Sequence, residues 1–271
     1  MAIVVKVPGI NGLGKTSGCE KAGDEIAKSL GEIYSNESRK VLESGEIDLR
    51  EIRTDSSDAE KTNRLIYKNS LEIFRSGKKA IFLGGDHSVS FPLAKAFLDS
   101  CKERKKRPYL VVFDAHPDCM EPASVEVPTH EDWLRSLIES GFPPGNVMLV
   151  GARNSDEHEI LFMAENRIKQ ISMNALLEDL EGSGDSITEF SGYPDAELYL
   201  SVDIDAADPA FAPGTGYLEP GGLTSRELIY LLQRMSKVRN LRALDIVEIN
   251  PKKDKSGITV KLGAKILSEF I

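Results

Sequence analysis

Apolar residues in this chain fall into short, β-branched runs separated by longer stretches with helical spacing. The runs Ile3–Val7, Ala80–Leu83, Tyr109–Phe113, Val147–Val150, Leu198–Val202 and Ala243–Ile246 predict strands. Most are continuous and not alternating, the pattern of strands buried on both faces of a parallel sheet. Between them, Gly23–Leu30, Asp58–Ser76, Pro92–Lys102, Glu131–Ser140, Asp156–Ile168 and Ser225–Lys237 read as helices. Strand–helix–strand alternation implies right-handed βαβ units and a three-layer α/β/α fold with a mostly parallel central sheet. Leu177–Asp195, rich in Glu, Asp, Gly and Ser, reads as an exposed helix end followed by a loop. It is too short to separate two folded units, and no internal repeat is visible, so residues 1–271 are expected to form a single domain.

Ligands of open parallel sheets bind beyond the carboxyl ends of the strands. Three predicted strand ends carry metal-type ligands. Asp86 and His87 follow AIFLGG; Asp114, His116 and Asp118 follow YLVVF; Asp203, Asp205 and Asp208 end LYLSV and the residues after it. The alternate spacing of Asp114/His116 and of Asp203/Asp205 turns both members of each pair to one side of an extended segment. Crowded carboxylates raise one another's pKa unless cations intervene. Two divalent ions remove that penalty, and oxygen-rich ligation with one imidazole per ion suits Mn²⁺ or Mg²⁺. Two such ions about 3.5–4 Å apart share a water and lower its pKa towards neutrality. The expected ligands are His87, Asp114, His116, Asp118, Asp203 and Asp205. Any one aspartate after a strand, Asp208 before Pro209 for instance, is equally a turn or cap residue. Asp86 is expected either to orient His87 through its other ring nitrogen or to cap the next helix.

A second motif competes. Gly9-Ile10-Asn11-Gly12-Leu13-Gly14-Lys15-Thr16 fits the P-loop expression and follows a strand, so a nucleotide hydrolase is the alternative, with Lys15 on the phosphates and Thr16 on Mg²⁺. That reading needs a helix from Lys15, where Gly18 and Gly23 intervene, and leaves His87, His116, Asp203 and Asp205 without a role.

Composition narrows the setting. The net charge is −9, which opposes a broad nucleic-acid footprint and weakly favours a cationic small substrate. The one basic stretch, Lys102–Arg107, reads as a solvated loop. No apolar run approaches a membrane span, the opening residues carry no secretory pattern, and Cys19, Cys101 and Cys119 form no disulfide framework. A cytoplasmic protein with no membrane or nucleic-acid partner is expected. Cys119 and Trp133 read as packing residues and His158 as a surface residue.

The strings GGDHS, DAHPD and SVDIDAADPAFAPGTG, followed in order by GGLTSRE (Gly221–Glu227) and LDIVEINP (Leu244–Pro251), resemble those of the ureohydrolases, the arginase/agmatinase family. The resemblance runs from the first strand to the last helix. It implies a dimanganese centre, two Mn²⁺ per subunit, with His87, Asp114, Asp118 and Asp203 on one ion and His116, Asp114, Asp203 and Asp205 on the other. It implies that activated water attacks the central guanidine carbon of an agmatine- or arginine-like substrate, or a formimino carbon, and that the adduct collapses to an amine and urea or a urea-like product. Glu248 matches the acid that receives the guanidinium, a pairing suited to a planar fork of N–H donors. His130 lies where relatives carry a histidine that passes a proton to the leaving amine, although its neighbours PTHEDW differ from the usual context. Asp156 matches an aspartate near the substrate tail, and is otherwise a helix cap. Met120 replaces the asparagine with which arginases hold an amino-acid carboxylate, and Tyr217 stands where many members have threonine. A homo-oligomer, trimer or hexamer, is also implied. The diverged loops keep open a third reading, a non-catalytic metal-binding homologue.

Overall fold

The structure, a computed structural model, describes residues 2–42 and 47–271. Among the described residues eight strands form one sheet: β1 (Ile3–Val7), β2 (Asp48–Glu51), β3 (Ala80–Gly84), β4 (Arg107–Phe113), β5 (Val147–Val150), β6 (Lys169–Ile171), β7 (Ala196–Asp203) and β8 (Leu241–Val247). Their order is β2-β1-β3-β8-β7-β4-β5-β6, and every pairing is parallel. The helices are α1 (Ala22–Leu30), α2 (Ala59–Arg75), α3 (Ser90–Glu103), α4 (Trp133–Glu139), α5 (Glu157–Glu165), α6 (Met173–Glu178), α7 (Leu180–Glu189), α8 (Ser225–Ser236) and α9 (Ile258–Ser268).

Successive residues of a strand face opposite sides of the sheet, and here each side has its own core. Ile3, Val5 and Val7 of β1, with Leu110 and Val112 of β4, pack beneath α2–α5. Val4, Tyr109, Val111 and Phe113 pack towards α1 and α6–α9. Both faces being covered, the strand sequence must be apolar at every position, which is why the runs are continuous. The expected three-layer fold is present, with the sheet wholly parallel.

The six expected strands all appear. The two unexpected strands, β2 (DLRE) and β6 (KQI), are the sheet's edges, mostly solvent-exposed and without an apolar run to mark them. Leu177–Asp195 requires correction: it is not mainly loop but contains the ten-residue α7. Gly182 and Gly184 depress its intrinsic helicity. Packing overrides this, because Asp179 caps the Gly182 N–H at 2.8 Å and Ser183, Gly184 and Ile187 are buried on the α8 side. The Lys102–Arg107 stretch is also more than a solvated loop, since Arg104 pairs with Glu197 and Arg107 with Asp195 at 2.5 Å. Among the described residues no helix is long and apolar enough to cross a membrane.

Candidate metal centre and active site

The four central strands β3, β8, β7 and β4 deliver the candidate residues to one edge of the sheet. His87 lies just past β3, Glu248 just past β8, Asp203 ends β7, and Asp114 follows β4. The aspartate pairs are not held on extended chain, as the spacing alone would have it. Each is a tight turn in which the first carboxylate accepts the backbone N–H two residues on. His116 N donates to Asp114 Oδ1 at 2.7 Å, and Asp205 N donates to Asp203 Oδ1 at 2.8 Å. This uses one oxygen of each leading aspartate and leaves Oδ2 turned inward.

Those inward oxygens meet at His87. Its Nδ1 lies 3.0 Å from Asp114 Oδ2, 2.9 Å from Asp118 Oδ2 and 3.2 Å from Asp203 Oδ2. The other ring nitrogen, Nε2, donates to Ser201 Oγ at 3.0 Å, because the Ser201 hydroxyl is itself committed to Asp245 Oδ1 at 2.6 Å. Asp245, fully buried, also accepts from Tyr199 Oη (2.7 Å) and Ser90 Oγ (2.8 Å). In neutral His87 the nitrogen facing three carboxylate oxygens therefore carries a lone pair. Both His87 Nδ1 and Asp114 Oδ2 are buried without a hydrogen-bond partner. Lone pairs gathered in this way are suited to a cation between them.

The acid–base tendencies agree. Burial alone lowers the His87 pKa, but the Asp114, Asp118 and Asp203 carboxylates overcome it and hold the ring well above its ordinary range. Burial, then the neighbouring Asp114 charge, pushes Asp118 up to about 7, and burial with the Asp205 and Asp114 charges pushes Asp203 well up. A proton takes the place a cation is suited to fill.

Two overlapping groups, His87–Asp114–Asp118 and Asp114–His116–Asp205, have ligand atoms close enough to hold one ion each, and Asp114 belongs to both. His116 Nδ1 lies 3.1 Å from Asp205 Oδ2, while its Nε2 lies 3.5 Å from Glu219 Oε1. Glu219 is in turn held by Asn154 Nδ2 at 2.7 Å. Trp133 is more than packing: its indole N–H donates to Asp118 Oδ2 at 2.8 Å and its ring lies 4.7 Å from that of His87. Ser201, Asp245, Trp133 and Glu219 thus support the cluster, and none was singled out from sequence for that purpose. The Asp245 signal was visible, as a charge inside a run that must be buried on both faces.

Two site carboxylates sit on left-handed backbone, Asp118 at φ 52° and Glu248 at φ 62°. Non-glycine residues adopt this conformation at a cost of about 1–3 kcal/mol and persist there when the surroundings over-determine them. Glu248 Oε1 accepts the His87 N–H at 3.0 Å, and Oε2 faces the Cys19 thiol at 3.8 Å. Burial, followed by the Asp86 charge, raises the Glu248 pKa well above normal.

Asp86 does not orient His87 through its other ring nitrogen, which Ser201 holds. It accepts from Ser88 N, capping the turn that opens α3, and from Asn11 N (2.8 Å) and Thr16 Oγ1 (2.9 Å). The Gly9–Thr16 loop therefore already wraps an internal carboxylate. No helix begins at Lys15, since α1 starts at Ala22, and Thr16 is buried against Asp86. This geometry removes the phosphate-binding reading. Asp208 is the turn residue its position allows, accepting from the N–H groups of Ala210, Gly221 and Gly222. Cys119 is buried packing, and His158 is exposed.

Outside the cluster lies a cavity of about 230 Å³ lined by His116, Asp118, Met120, His130, Glu131, Asn154, Asp156, Glu159, Tyr217 and Glu219. His130 is buried there, its Nε2 3.9 Å from Glu131 Oε1 and without a hydrogen-bond partner, and its pKa is lowered by burial. Asp156 caps α5 in a capping box with Glu159 and also reaches the cavity wall.

Comparison with known proteins gives a concordant result. The arginase family matches residues 2–271. The chain is 34% identical over 202 residues to an agmatinase of Bacillus subtilis (strain 168), covering 73% of this chain and 65%, just under two thirds, of that protein. It is 30% identical to an agmatinase of Bacillus anthracis over 91% of this chain and 81% of that one. Among solved structures it resembles a formimidoylglutamase from Bacillus subtilis with a TM-score of 0.90 at 22% identity, covering 99% of this chain and 85% of that one, a likeness of fold.

Proposed function

The chain belongs to the arginase family, and we propose that it is a binuclear-manganese hydrolase that cleaves a guanidino (or formimino) C–N bond and releases urea or a urea-like product. The observation carrying this reading is the His87 Nδ1 lone pair facing three carboxylate oxygens, one from an aspartate shared with a second ligand group. His87, Asp114, Asp118 and Asp203 would hold one Mn²⁺; Asp114, His116, Asp203 and Asp205 would hold the other. When bound, such a pair would acidify a water beside the reacting carbon.

The remaining roles belong to the protein. Glu248, held by the His87 N–H, would receive the planar guanidinium and fix its orientation. His130, buried with a free Nε2 and a lowered pKa, is suited to carrying a proton to the leaving amine. Asp156 would face the substrate tail from the cavity wall. Four carboxylates besides Asp118 line that cavity, Glu131, Asp156, Glu159 and Glu219, which favours a neutral or cationic tail. Met120 offers no hydrogen-bond donor to an amino-acid carboxylate. Residues 1–271 would act as one catalytic domain, since every proposed role falls at one edge of one sheet.

The test is a panel of arginine, agmatine, guanidinobutyrate, formiminoglutamate, guanidine and alkylguanidines, offered to chelator-treated protein with and without added Mn²⁺. Mn²⁺-dependent release of urea, or of its analogue from a formimino compound, is expected. Metal binding without product from any member would establish the non-catalytic reading instead.

A further inference from the structure

Several groups at the mouth of the cavity converge on a side chain to which the reading above gives no role. The Tyr217 ring stands 5.1 Å from the His130 ring and 6.1 Å, edge-on, from the His116 ring. It therefore spans the gap between the histidine of the metal cluster and the histidine of the rim. Lys15 Nζ lies 4.3 Å from the ring centroid, an attraction between a cation and the negative face of the ring. Burial, with the Glu131 carboxylate beside the hydroxyl, raises its pKa to about 12, so it remains a phenol. One residue is thus fastened to two different loops.

The backbone beneath it is fixed as well. A Cβ at Gly216 would lie 3.4 Å from Lys15 O and 3.5 Å from Glu248 Oε2, so the segment is seated directly on the first loop and on the guanidinium-binding acid. Asn250 N donates to Gly214 O at 2.7 Å, and Gly214 N donates to Thr259 Oγ1 at 2.8 Å. The segment is thus anchored at Gly214 to Asn250, beyond β8, and to Thr259 of α9. To leave the mouth, the ring would have to rotate away from Lys15, Glu131 and His130 together. The cavity it borders holds about 230 Å³.

We propose that Tyr217 is a specificity-determining residue that restricts this site to guanidino or formimino compounds with a short tail. The inference rests on the hydrolase reading and narrows its substrate class. The tail leaving the reacting carbon must pass the ring, and a longer chain has to displace it from all three partners.

The experiment compares kcat/KM for methylguanidine and ethylguanidine with that for agmatine and guanidinobutyrate, using manganese-loaded wild-type protein, Tyr217→Phe and Tyr217→Ala. The wild type should favour the short compounds by about tenfold or more, the discrimination a tight pocket exerts over extra methylenes. Tyr217→Phe keeps the ring and should hold that ratio within about threefold, whereas Tyr217→Ala should move it at least about tenfold towards the long compounds, chiefly through KM. Unchanged metal stoichiometry and far-UV circular dichroism establish that the variants are folded. A wild-type preference for long tails, or an Ala variant with an unaltered ratio, overturns the proposal. Calorimetric binding of the same four guanidinium compounds separates the two readings. If nothing is turned over, the hydrolase reading fails, while the same size discrimination in Kd, lost in Tyr217→Ala, still supports Tyr217 as the filter. Equal Kd values for short and long tails reject it.

Discussion

Replacing Ser201 by alanine removes one oxygen and separates the proposed metal cluster from its support. Ser201 Oγ accepts from His87 Nε2 at 3.0 Å and donates to Asp245 Oδ1 at 2.6 Å, and all three residues are fully buried. In Ser201→Ala the His87 N–H loses its acceptor, with no solvent to replace it, and Asp245 keeps two of its three hydroxyl donors. A buried donor left unsatisfied costs about 1–3 kcal/mol. The His87 ring also loses the contact that fixes its tautomer and aim, and such partners are worth about 10–100-fold in metal affinity. Ser90→Ala is the matched control, because it takes a donor from the same Asp245 (2.8 Å) without touching His87. Calorimetric Mn²⁺ titration with parallel thermal unfolding should show both variants destabilised in the metal-free state. Only Ser201→Ala should lose about 10–100-fold in affinity for one ion. Equal affinities in the two variants would refute the argument, since Ser201 would then be core and not a support for the ligand.

Three further outcomes follow from the same geometry. Asp114→Ala, which removes the residue common to both ligand groups, should abolish binding of both ions and product release together; elemental analysis that finds one ion retained contradicts a shared ligand. Metal-free protein should lose stability as pH rises from about 4 towards 7, because Asp118 is raised to about 7, so the folded state holds a proton that the unfolded state has released. The raised His87 and His116 act in the same direction, full stabilisation lying below the ordinary histidine range and disappearing as pH climbs towards their folded values. Unfolding scans with chelator across pH 5–8.5 should show the fall, and Mn²⁺ should restore more stability at the alkaline end; a flat or rising chelator curve opposes it. Gly85→Ala places a Cβ about 1.8 Å from Gly9 O and should cost on the order of 3 kcal/mol or more in urea denaturation, whereas wild-type stability would mean that this backbone contact is loose.

The metal-type residues were legible because each stands at the end of an apolar run, where a parallel sheet presents its ligands: His87 after β3, Asp114 after β4, Asp203 at the end of β7. Their spatial grouping was therefore readable, although the turns that aim Asp114 and Asp203 inward were not, since an Asx turn and an extended segment share the same D-x-H or D-x-D spacing. The supports were harder to read. Ser201 and Asp245 lie inside strands and look like interruptions of the core until their mutual pairing is seen, and Trp133 resembles an ordinary buried aromatic. Glu219 reaches His116 from a loop fixed only by tertiary contacts. The edge strands β2 and β6 and the glycine-bearing α7 were hidden for a related reason, because neighbouring elements and not their own residues decide their structure. The GGLTSRE string gains a physical meaning in return: Thr224 and Glu227 form the capping box that starts α8.

The most direct test of the account pairs metal counting with turnover in one preparation. Protein stripped with chelator and titrated with Mn²⁺ should take up two ions per chain, and hydrolysis of a guanidino or formimino compound in the panel should rise with filling of the second. Saturation at one ion, or two ions bound with no urea or urea-like product from any compound, would contradict it.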